Sequence, residues 1–220
     1  MVMDLNFAGG NYFIINNHFK CCGDGVLDLN DEFDEENRRY TAMNLLKAYI
    51  DENLSNEKVI VLGDLNDDIS EPHLNNVFQD VLNDSDSYQF VDLSIAQGNS
   101  SEWSFPNWPS HLDHILITNE LFEGLDSIEV RTIKIDDYID GGWDEYDQNI
   151  SDHRPVAMKI NFNFESSFDL NNDGVVNDND IILLLSIIFE QNNAQFSGDI
   201  NLDSRIDIFD LLMLFNHLYN

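Results

Sequence analysis

The chain has 220 residues, of which 43% are hydrophobic and 11% aromatic, enough for one large or two smaller folded domains. This composition excludes an intrinsically disordered chain. Lys and Arg number 10 against 42 Asp and Glu, and the net charge of −32 leaves no basic face for tight electrostatic binding to a nucleic-acid backbone.

Strand and helix patterns alternate along the larger, N-terminal part of the chain. Residues 11–19 predict a β-strand, and residues 34–53 predict a helix with an apolar side and acids in its first turn. Residues 58–62 are almost continuously apolar, which is typical of a short strand buried on both faces. Further strands are predicted at residues 114–118, 129–135 and 156–162. Strands mixed with an amphipathic helix indicate an α/β or α+β layered domain.

Few features of the sequence indicate the cellular compartment. Cys21 and Cys22 are the only cysteines and are adjacent, so we expect buried free thiols and no disulfide framework. The apolar run at residues 181–189 is half of the about 18 residues that span a bilayer, so no transmembrane segment is predicted. Residues 1–10 lack the basic and apolar regions of a signal peptide.

The sequence changes character near residue 165. Residues 168–180 and 198–210 are related to each other with an offset of 30 positions, and an apolar run of helix length follows each of them. This internal duplication predicts a small all-α domain at residues 166–220, after a larger domain at residues 1–165.

Each repeat has the ligand layout of a twelve-residue calcium loop. Gly174 falls at position 6 of the first loop, where the chain must turn sharply, and Ser204 replaces it in the second, which is expected to be weaker. The predicted ligands are Asp169, Asn171, Asp173, Val175 (carbonyl), Asn177 and Asp180 in the first loop, and Asp199, Asn201, Asp203, Arg205 (carbonyl), Asp207 and Asp210 in the second. One such loop could be an acidic turn without metal, but two in register predict Ca²⁺ binding.

The loop-then-helix order, with Asp at position 12, resembles the duplicated half-EF-hand of type I dockerins over residues 168–220. The resemblance implies a calcium-folded module that binds cohesin domains in extracellular assemblies. Positions 10 and 11, where dockerins often carry small hydroxyl residues for cohesin contact, hold Asp178-Asn179 and Ile208-Phe209 here. This departure argues against a typical cohesin contact but not against calcium binding, and the partner implied by the resemblance is a cohesin-like or other cell-surface domain.

Four groups of polar residues lie at the ends of predicted strands in the larger domain. Each group alone could be a turn, because an Asp at the end of a buried strand is often only a turn former. Four groups, each at a strand end, predict one site at the edge of a sheet. They are His18; Asp64 with Asn66; Asp113 with His114; and Asp152 with His153.

These residues lie in four motifs, which are NNHFK, VIVLGDLND, SHLDHILI and SDHRPV in chain order. In sequence and order the motifs resemble the endonuclease/exonuclease/phosphatase superfamily, which includes deoxyribonuclease I-like enzymes, over roughly residues 5–163. The resemblance implies a layered β-sandwich flanked by helices that hydrolyses phosphoester bonds with Mg²⁺ or Mn²⁺.

The resemblance also implies a role for each residue of the site. Asp152 would be a metal ligand, because a carboxylate suits a hard cation. His153 would be the general base that deprotonates the attacking water, and Asp113 would fix its tautomer through a hydrogen bond. Asp64 would orient the water or bind metal, and Asn66 would donate to a phosphate oxygen. His18 would stabilise or protonate the phosphoryl oxygens.

Members of this superfamily begin with a further half-sheet that supplies an Asn and a metal-binding Glu. Only 17 residues precede His18, so we expect the chain to correspond to the C-terminal two thirds of the catalytic domain. On this expectation the given chain has little activity, and the missing segment would also account for the missing signal peptide.

Two loop features can be explained without a function, and one of them, the tryptophans, also has a functional explanation. Residues 23–32 are rich in acids but do not match the calcium template, so a solvated loop is expected. Trp103, Trp108 and Trp143 lie in loops near the motifs, where they either anchor the loops or stack on a substrate.

Together these features predict a secreted, divalent-metal-dependent phosphodiesterase, with a nuclease as the first choice, joined to a calcium-binding docking module. A phosphatase or phospholipase-like diesterase acting on a small or lipid phosphoester is the alternative within the superfamily, and the acidic charge favours it somewhat. A calcium-dependent docking protein without catalysis is the alternative from another class.

Overall fold

A computed structural model describes residues 2–7, 10–160, 168–190, 198–200 and 205–219. The chain divides into two compact units, Met1–Asp4 with Tyr12–Asn161 and Leu5–Asn11 with Phe162–Asn220. The predicted domain boundary at residues 165 and 166 falls outside the described residues and stays a prediction.

The described strands form one sheet of five strands and one of two. The order in the larger sheet is β1-β2-β3-β5-β4, and β6 pairs with β7 in the smaller one; the bounds are β1 (Val2–Phe7), β2 (Gly10–His18), β3 (Lys58–Asp64), β4 (Tyr88–Phe90), β5 (Asp113–Thr118), β6 (Ile128–Thr132) and β7 (Val156–Ile160). The larger sheet is mixed, because β2 and β3 are parallel while β5 is antiparallel to both β3 and β4.

The α-helices of the described residues are α1 (Glu35–Asn53), α2 (Gln79–Leu82), α3 (Leu93–Ala96), α4 (Gly142–Asn149), α5 (Asp178–Glu190) and α6 (Ile208–Tyr219), and short 3₁₀ helices lie at Ser100–Glu102, Asn119–Ser127 and Ile135–Tyr138. Asp34 caps α1 by accepting a hydrogen bond from the Asn37 N–H, and acids in the first turn complement the helix dipole. No helix in the described part of the chain is both long and apolar enough to cross a membrane.

The core of the larger unit lies between α1 and the five-stranded sheet. Met43 and Ile50 of α1 are buried in the same apolar cluster as Val59 and Val61 of β3. Removing each such side chain from water contributes about 1.5–3 kcal/mol. The predicted α/β layered architecture, with helices flanking a sheet, is confirmed.

One predicted strand is shorter than expected. The sequence predicts a strand over residues 129–135, but β6 ends at Thr132, which pairs with Val156 at the start of β7. The Ile133 N–H still donates to the Pro155 carbonyl at 2.7 Å, but Pro155 has no N–H to return this bond, so the regular pairing ends here. The edge strands β1 and β4 were not predicted. β4 has only three residues, but residues 3–7 of β1 alternate apolar with polar side chains, a strand pattern that could have revealed it.

The expectation of buried cysteines is wrong. Cys21 and Cys22 are free, as predicted, but both are exposed. They lie in the segment that follows β2, in which residues 20–34 form no strand or helix and residues 21–33 are exposed almost throughout. Residues 23–32 are thus a mainly solvated loop, as predicted.

The smaller unit has a core built from the repeat. Leu170 and Ile200 are buried in equivalent positions 30 residues apart, and so are Leu184 and Leu214. The last two lie on α5 and α6, which confirms that a helix follows each predicted loop.

Candidate active site and calcium loops

Three predicted site residues lie side by side at one end of the larger sheet. The parallel register of β2 and β3 pairs His18 with Asp64, and the antiparallel register of β3 and β5 pairs Asp64 with Asp113. His18 and Asp64 end their strands, and Asp113 begins its own. Strand pairing therefore makes neighbours of residues that are far apart in the sequence.

The segment before β7 brings His153 to the same place. Its Nδ1 lies 2.7 Å from Oδ2 of Asp113, and its Nε2 lies 3.9 Å from Oδ2 of Asp64. The backbone beside it is fixed by the Arg154 N–H, which donates to the Ser104 carbonyl at 2.7 Å. Asp64, Asp113 and His153 each present a ligand atom, and the three atoms lie within 4.8 Å of one another.

The charges in this group affect each other. Burial raises the pKa of Asp64, and the Asp113 carboxylate raises it further, while His153 and His18 oppose the shift. The hydrogen bond that His153 donates to Asp113 raises the pKa of His153 above its ordinary 6.5, against the opposing effect of burial. Neighbouring carboxylates beside an imidazole attract a proton or a cation, as functional sites commonly do.

Asn66 and His18 flank Asp64. The Asn66 backbone N–H donates to Oδ1 of Asp64 at 3.0 Å, and its side-chain amide donates to the Phe19 carbonyl at 3.2 Å. Asn66 has a φ of 56°, a left-handed conformation that Asn tolerates better than most residues. Nε2 of His18 lies 3.5 Å from Oδ2 of Asp64, and the His18 side chain is 70% exposed.

Asp152 is set apart from this group. It is exposed, and the group of three close ligand atoms does not include it. Its charge does reach the site, because it helps to raise the pKa of His153. Its role as a metal ligand stays a prediction.

His114, which the sequence groups with Asp113, does not belong to the site. Successive side chains of a strand point to opposite faces, and His114 is buried in the core. Its Nδ1 lies 2.6 Å from Oδ2 of Asp92, and its Nε2 lies 2.8 Å from the Asp67 carbonyl. Nε2 of His111 lies 3.0 Å from the same oxygen of Asp92. No local sequence pattern connects Asp92 with the two histidines, so this buried network was not predicted.

Two contacts that support His153 were also not predicted. The ring of Phe105 lies 4.7 Å from the His153 imidazole, centroid to centroid. Arg154 binds both carboxylate oxygens of Asp136, at 3.0 and 2.5 Å. Arg154 is visible in the SDHRPV motif, but its partner Asp136 comes directly after the predicted strand at residues 129–135, and no local pattern connects the two.

The tryptophans differ in their surroundings. Trp103 donates from Nε1 to the Ile95 carbonyl at 3.0 Å, and Trp143 donates to Oδ1 of Asn107 at 3.0 Å. Both therefore anchor loops. Trp108 is 79% exposed at the tip of a turn that a Phe105–Ser110 bridge closes.

The first predicted calcium loop is held together by its acids. Asp169 accepts a hydrogen bond from the Gly174 N–H at 2.8 Å, and Gly174 has a φ of 85°, as position 6 requires. Asp180 is fully buried and accepts from the N–H groups of Leu170 and Asn177, at 2.9 and 2.8 Å. The remaining predicted ligands lie between these ends of the loop: Asn171, Asp173 and Val175.

The second loop repeats this bonding pattern. Asp210 is fully buried and accepts from the N–H groups of Ile200 and Asp207, at 2.7 and 2.8 Å, so it is equivalent to Asp180. Residues 201–204 of this loop, which include the predicted ligands Asn201 and Asp203 and the residue Ser204, lie outside the described residues. The weaker second site therefore stays a prediction.

The chain is similar to several solved structures. One is an AP endonuclease from Archaeoglobus fulgidus, with 13% identity, a TM-score of 0.47, and coverage of 73% of this chain and 65% of that one. Another is the catalytic domain of Xenopus laevis APE2, with 17% identity, a TM-score of 0.45, and coverage of 72% and 52%. A third is an endonuclease/exonuclease/phosphatase from Bacteroides vulgatus, with 13% identity, a TM-score of 0.43, and coverage of 70% and 51%.

The chain thus spans between about half and two thirds of the length of these structures. No curated protein matches it in sequence. A family model does match the C-terminal part: the model of the dockerin type I domain matches residues 167–219. The resemblance inferred from the two loops is confirmed, and the chain carries a dockerin type I domain at residues 167–219.

Proposed function

We propose that residues 1–165 are the catalytic part of a divalent-metal-dependent phosphoric diester hydrolase, joined to a calcium-binding docking module. The proposal rests on the hydrogen-bonded pair of Asp113 and His153, which lies beside Asp64 at the end of the sheet. A histidine that is held by a carboxylate and partly open to solvent is suited to moving a proton.

Asp113 acts on His153 by fixing its tautomer. The 2.7 Å contact at Nδ1 places an N–H there, which leaves the lone pair of Nε2 free to accept a proton from water. Nε2 lies 3.9 Å from Oδ2 of Asp64, too far for a hydrogen bond but a distance that one water molecule can bridge. The attacking water would lie between the two, with His153 taking its proton and Asp64 orienting it.

The carboxylates of the site fit a hard divalent cation. The pKa of Asp64 is raised by burial and by Asp113, so negative charge is concentrated here without full compensation. Asp64 and the exposed Asp152 would hold Mg²⁺ or Mn²⁺, which prefer oxygen ligands of this kind. The ion would supply stabilisation of the negative charge on the phosphoryl oxygens.

His18 and Asn66 would contact the phosphate. One hydrogen of the Asn66 side-chain amide is bound to the Phe19 carbonyl, and an amide has a second one for a phosphate oxygen. The ring of His18 is exposed and 3.5 Å from Asp64, so a phosphoryl oxygen bound at the site can reach it.

The substrate is a phosphodiester, with nucleic acid as the first choice and a small or lipid phosphoester as the alternative. The net charge of −32 disfavours long electrostatic contact with a polyanion, so the contacts must be short and local. Trp108 favours a substrate that contains a base or a sugar. It is exposed on the same turn as Phe105, and Phe105 packs on His153. An exposed indole can stack on either.

The dockerin domain supports a secreted protein with a docking partner. Such domains are calcium-binding modules, and the twelve loop positions set out above hold the oxygen ligands that Ca²⁺ requires. The partner would be a cohesin-like or other cell-surface domain. Ile208, Phe209 and Phe215 of α6 are each more than half exposed and would form apolar contacts with it.

Hydrolysis of bis(p-nitrophenyl) phosphate, with Mg²⁺ or Mn²⁺, tests the catalytic proposal in a parent chain to which the further N-terminal half-sheet implied by the superfamily resemblance has been added. His153→Ala is expected to lower kcat by about 10²–10⁴-fold, because general acid–base catalysis contributes that much. His73→Ala is the matched control, since His73 is an exposed histidine outside the site, and it should leave the rate unchanged. Equal rates for His153→Ala and the parent would contradict the assignment. Absence of metal-dependent hydrolysis by this extended parent, with intact calcium binding, would favour a docking protein without catalysis.

A further inference from the structure

A third group of acids lies in the segment between β2 and α1. Asp24, Asp34 and Glu36 each present a carboxylate oxygen, and the three oxygens lie within 4.8 Å of one another. The sequence offers no calcium template here, because the spacing of these acids does not follow the twelve-residue pattern. The group forms because the segment folds back onto the first turn of α1.

Glu36 sets this group apart from an ordinary acidic surface. Its side chain is only 2% exposed, although Glu is rarely buried without a partner. Oε1 accepts from the Gly25 N–H at 2.7 Å and lies 3.2 Å from Nη2 of Arg39. Oε2 is buried and has no hydrogen-bond partner. A buried carboxylate oxygen without a partner is destabilising unless a cation or a proton compensates it.

Arg39 does not supply the missing compensation. Its Nε donates to Oδ2 of Asp67 at 2.8 Å, and its Nη1 donates to the carbonyls of Lys20 and Cys22 at 2.8 and 2.7 Å. One guanidinium is therefore shared between the buried carboxylates of Glu36 and Asp67. The charges of Asp24 and Asp34 come in addition, so the group has a clear excess of negative charge.

The two outer acids each have one oxygen to spare. Oδ1 of Asp24 accepts from the Val26 N–H, and Oδ1 of Asp34 caps α1 through the Asn37 N–H. Oδ2 of each makes no hydrogen bond within the described part of the chain. Both acids can therefore bind a ligand through Oδ2 without giving up their structural hydrogen bonds.

The backbone is shaped around the Glu36 carboxylate. Gly23 has a φ of 117°, and a Cβ at this position would lie 2.2 Å from Oε1 of Glu36. Only glycine allows so close an approach between the loop and the carboxylate. The loop thus encloses Glu36 from one side and leaves it facing Asp24 and Asp34.

We propose that Asp24, Asp34 and Glu36 bind a calcium ion. An all-oxygen set of three carboxylates selects a hard cation. Calcium fits better than magnesium, because an irregular loop can supply the six to eight ligands at variable angles that Ca²⁺ accepts, whereas Mg²⁺ requires near-ideal octahedral geometry. This site is independent of the proposed hydrolase and of the dockerin loops.

Calcium at this site would brace the neighbourhood of the candidate active site. Arg39 joins the segment after His18, through the carbonyls of Lys20 and Cys22, to Asp67, which follows Asp64 closely in the chain. Holding Glu36 in place keeps Arg39 in place. The ion would therefore stabilise the loop that follows β2 and, through Arg39, the loop that follows β3.

The test is calcium binding by a full-length chain that lacks the other candidate sites. Asp169→Ala and Asp199→Ala disable the dockerin loops, and Asp152→Asn removes the candidate catalytic ligand. Equilibrium dialysis with ⁴⁵Ca²⁺, in excess Mg²⁺, should find about one calcium per chain, on the ligand set described here. Adding Glu36→Gln or Asp24→Asn should weaken this binding by about tenfold or more.

Asp31→Asn is the matched control, because Asp31 is an exposed acid of the same loop outside the group, and binding should be unchanged. Asp24 is exposed, so Asp24→Asn decides the question if Glu36→Gln does not fold. Cleavage by chymotrypsin at exposed Phe33 gives a second readout: calcium should slow it in the background chain but not in Asp24→Asn. No calcium bound by the background chain, or equal binding by Asp24→Asn, would overturn the proposal.

Discussion

Nδ1 of His153 and Oδ2 of Asp113 lie 2.7 Å apart, although 40 positions separate these residues in the chain. The contact exists because Asp113 begins β5 and His153 closely precedes β7, so both lie where a strand starts. The ring of Phe105 packs against the imidazole and limits its rotation. The proposed function requires the pair to be held in place before a substrate binds, and these contacts do hold it.

Asp113→Asn should lower kcat by about 10²–10⁴-fold in the phosphodiesterase assay. An amide can donate to Nδ1 and so favour the tautomer in which Nε2 carries the proton and cannot act as a base. Asp137→Asn, a change of an exposed acid outside the site, is the control and should have no effect.

The double variant Asp113→Asn/His153→Ala should be no slower than His153→Ala alone, because the two residues act as one unit. Additive losses in kcat would show that Asp113 acts independently of His153.

The proximity of the candidate site residues could be predicted from the sequence because they lie next to strand patterns, whereas their catalytic roles stay a prediction. His18, Asp64 and Asp113 flank apolar runs whose strand character is visible, and strand register does the rest. The alternation within β5 also explains why His114 lies in the core while Asp113 lies in the candidate site, since adjacent strand residues point to opposite faces.

Other features depend on contacts that no local pattern records. Asp92 meets His111 and His114 only when β5 is packed against the segment after β4. Glu36 appears in the sequence as an ordinary acid in the first turn of a helix, and only the folded loop shows that it is buried. Cys21 and Cys22 were misjudged for the same reason, because burial follows from the path of a loop and not from residue type alone.

Calcium removal should loosen both repeats of the dockerin domain. Chelation leaves the carboxylates of Asp169 and Asp173 close together without a cation, and the loops that brace α5 and α6 should open. Hydrogen exchange of the full-length chain, followed by mass spectrometry, should show faster exchange of the Leu170, Asn177, Ile200 and Asp207 amides, which Asp180 and Asp210 now bind.

The β3 amides of the larger unit serve as the internal control in that experiment and should exchange at an unchanged rate. Equal protection of the dockerin loops with and without chelator would contradict the prediction.

Glu71→Gln should stabilise the larger unit at pH 8 and have little effect at pH 5. Burial and the nearby Asp67 and Asp68 raise the pKa of Glu71 to about 7, from 4.5. Between pH 4.5 and 7, Glu71 is therefore protonated in the folded state but ionised in the unfolded state. The free energy of unfolding consequently falls as the pH rises from about 4.5 to 7. Gln removes the charge, and the gain at pH 8 should be on the order of 1 kcal/mol.

Urea unfolding that is followed by tryptophan fluorescence measures this effect, since Trp103, Trp108 and Trp143 all lie in the larger unit. Glu52→Gln, at an exposed position, is the matched control. A Glu71→Gln chain with the same pH dependence as the parent would show that Glu71 is not the group responsible.

The buried network of Asp92 and His114 should make the larger unit sensitive to alkaline pH. Both ring nitrogens of His114 face oxygen acceptors, Asp92 at Nδ1 and the Asp67 carbonyl at Nε2, so both carry a hydrogen and the ring is an imidazolium. Burial opposes this charge, but Asp92 outweighs it and raises the pKa of His114. Burial also opposes the charge of Asp92. The interactions with His114 and His111 outweigh this effect of burial, so the pKa of Asp92 lies well below 3.8.

The signs follow from linkage. The contribution of charged His114 to the free energy of unfolding is complete below about pH 6.5 and is lost as the pH rises through the raised pKa of His114. The contribution of the Asp92 carboxylate is lost only in strong acid. Urea unfolding by tryptophan fluorescence should therefore show falling stability above neutral pH. Asp92→Asn should cost about 3–5 kcal/mol at pH 6, because it leaves a buried cation unpaired, and it should flatten the alkaline decline. His73→Gln, an exposed histidine, should change neither quantity. An unchanged alkaline slope in Asp92→Asn would show that His114 is not a cation in the folded protein.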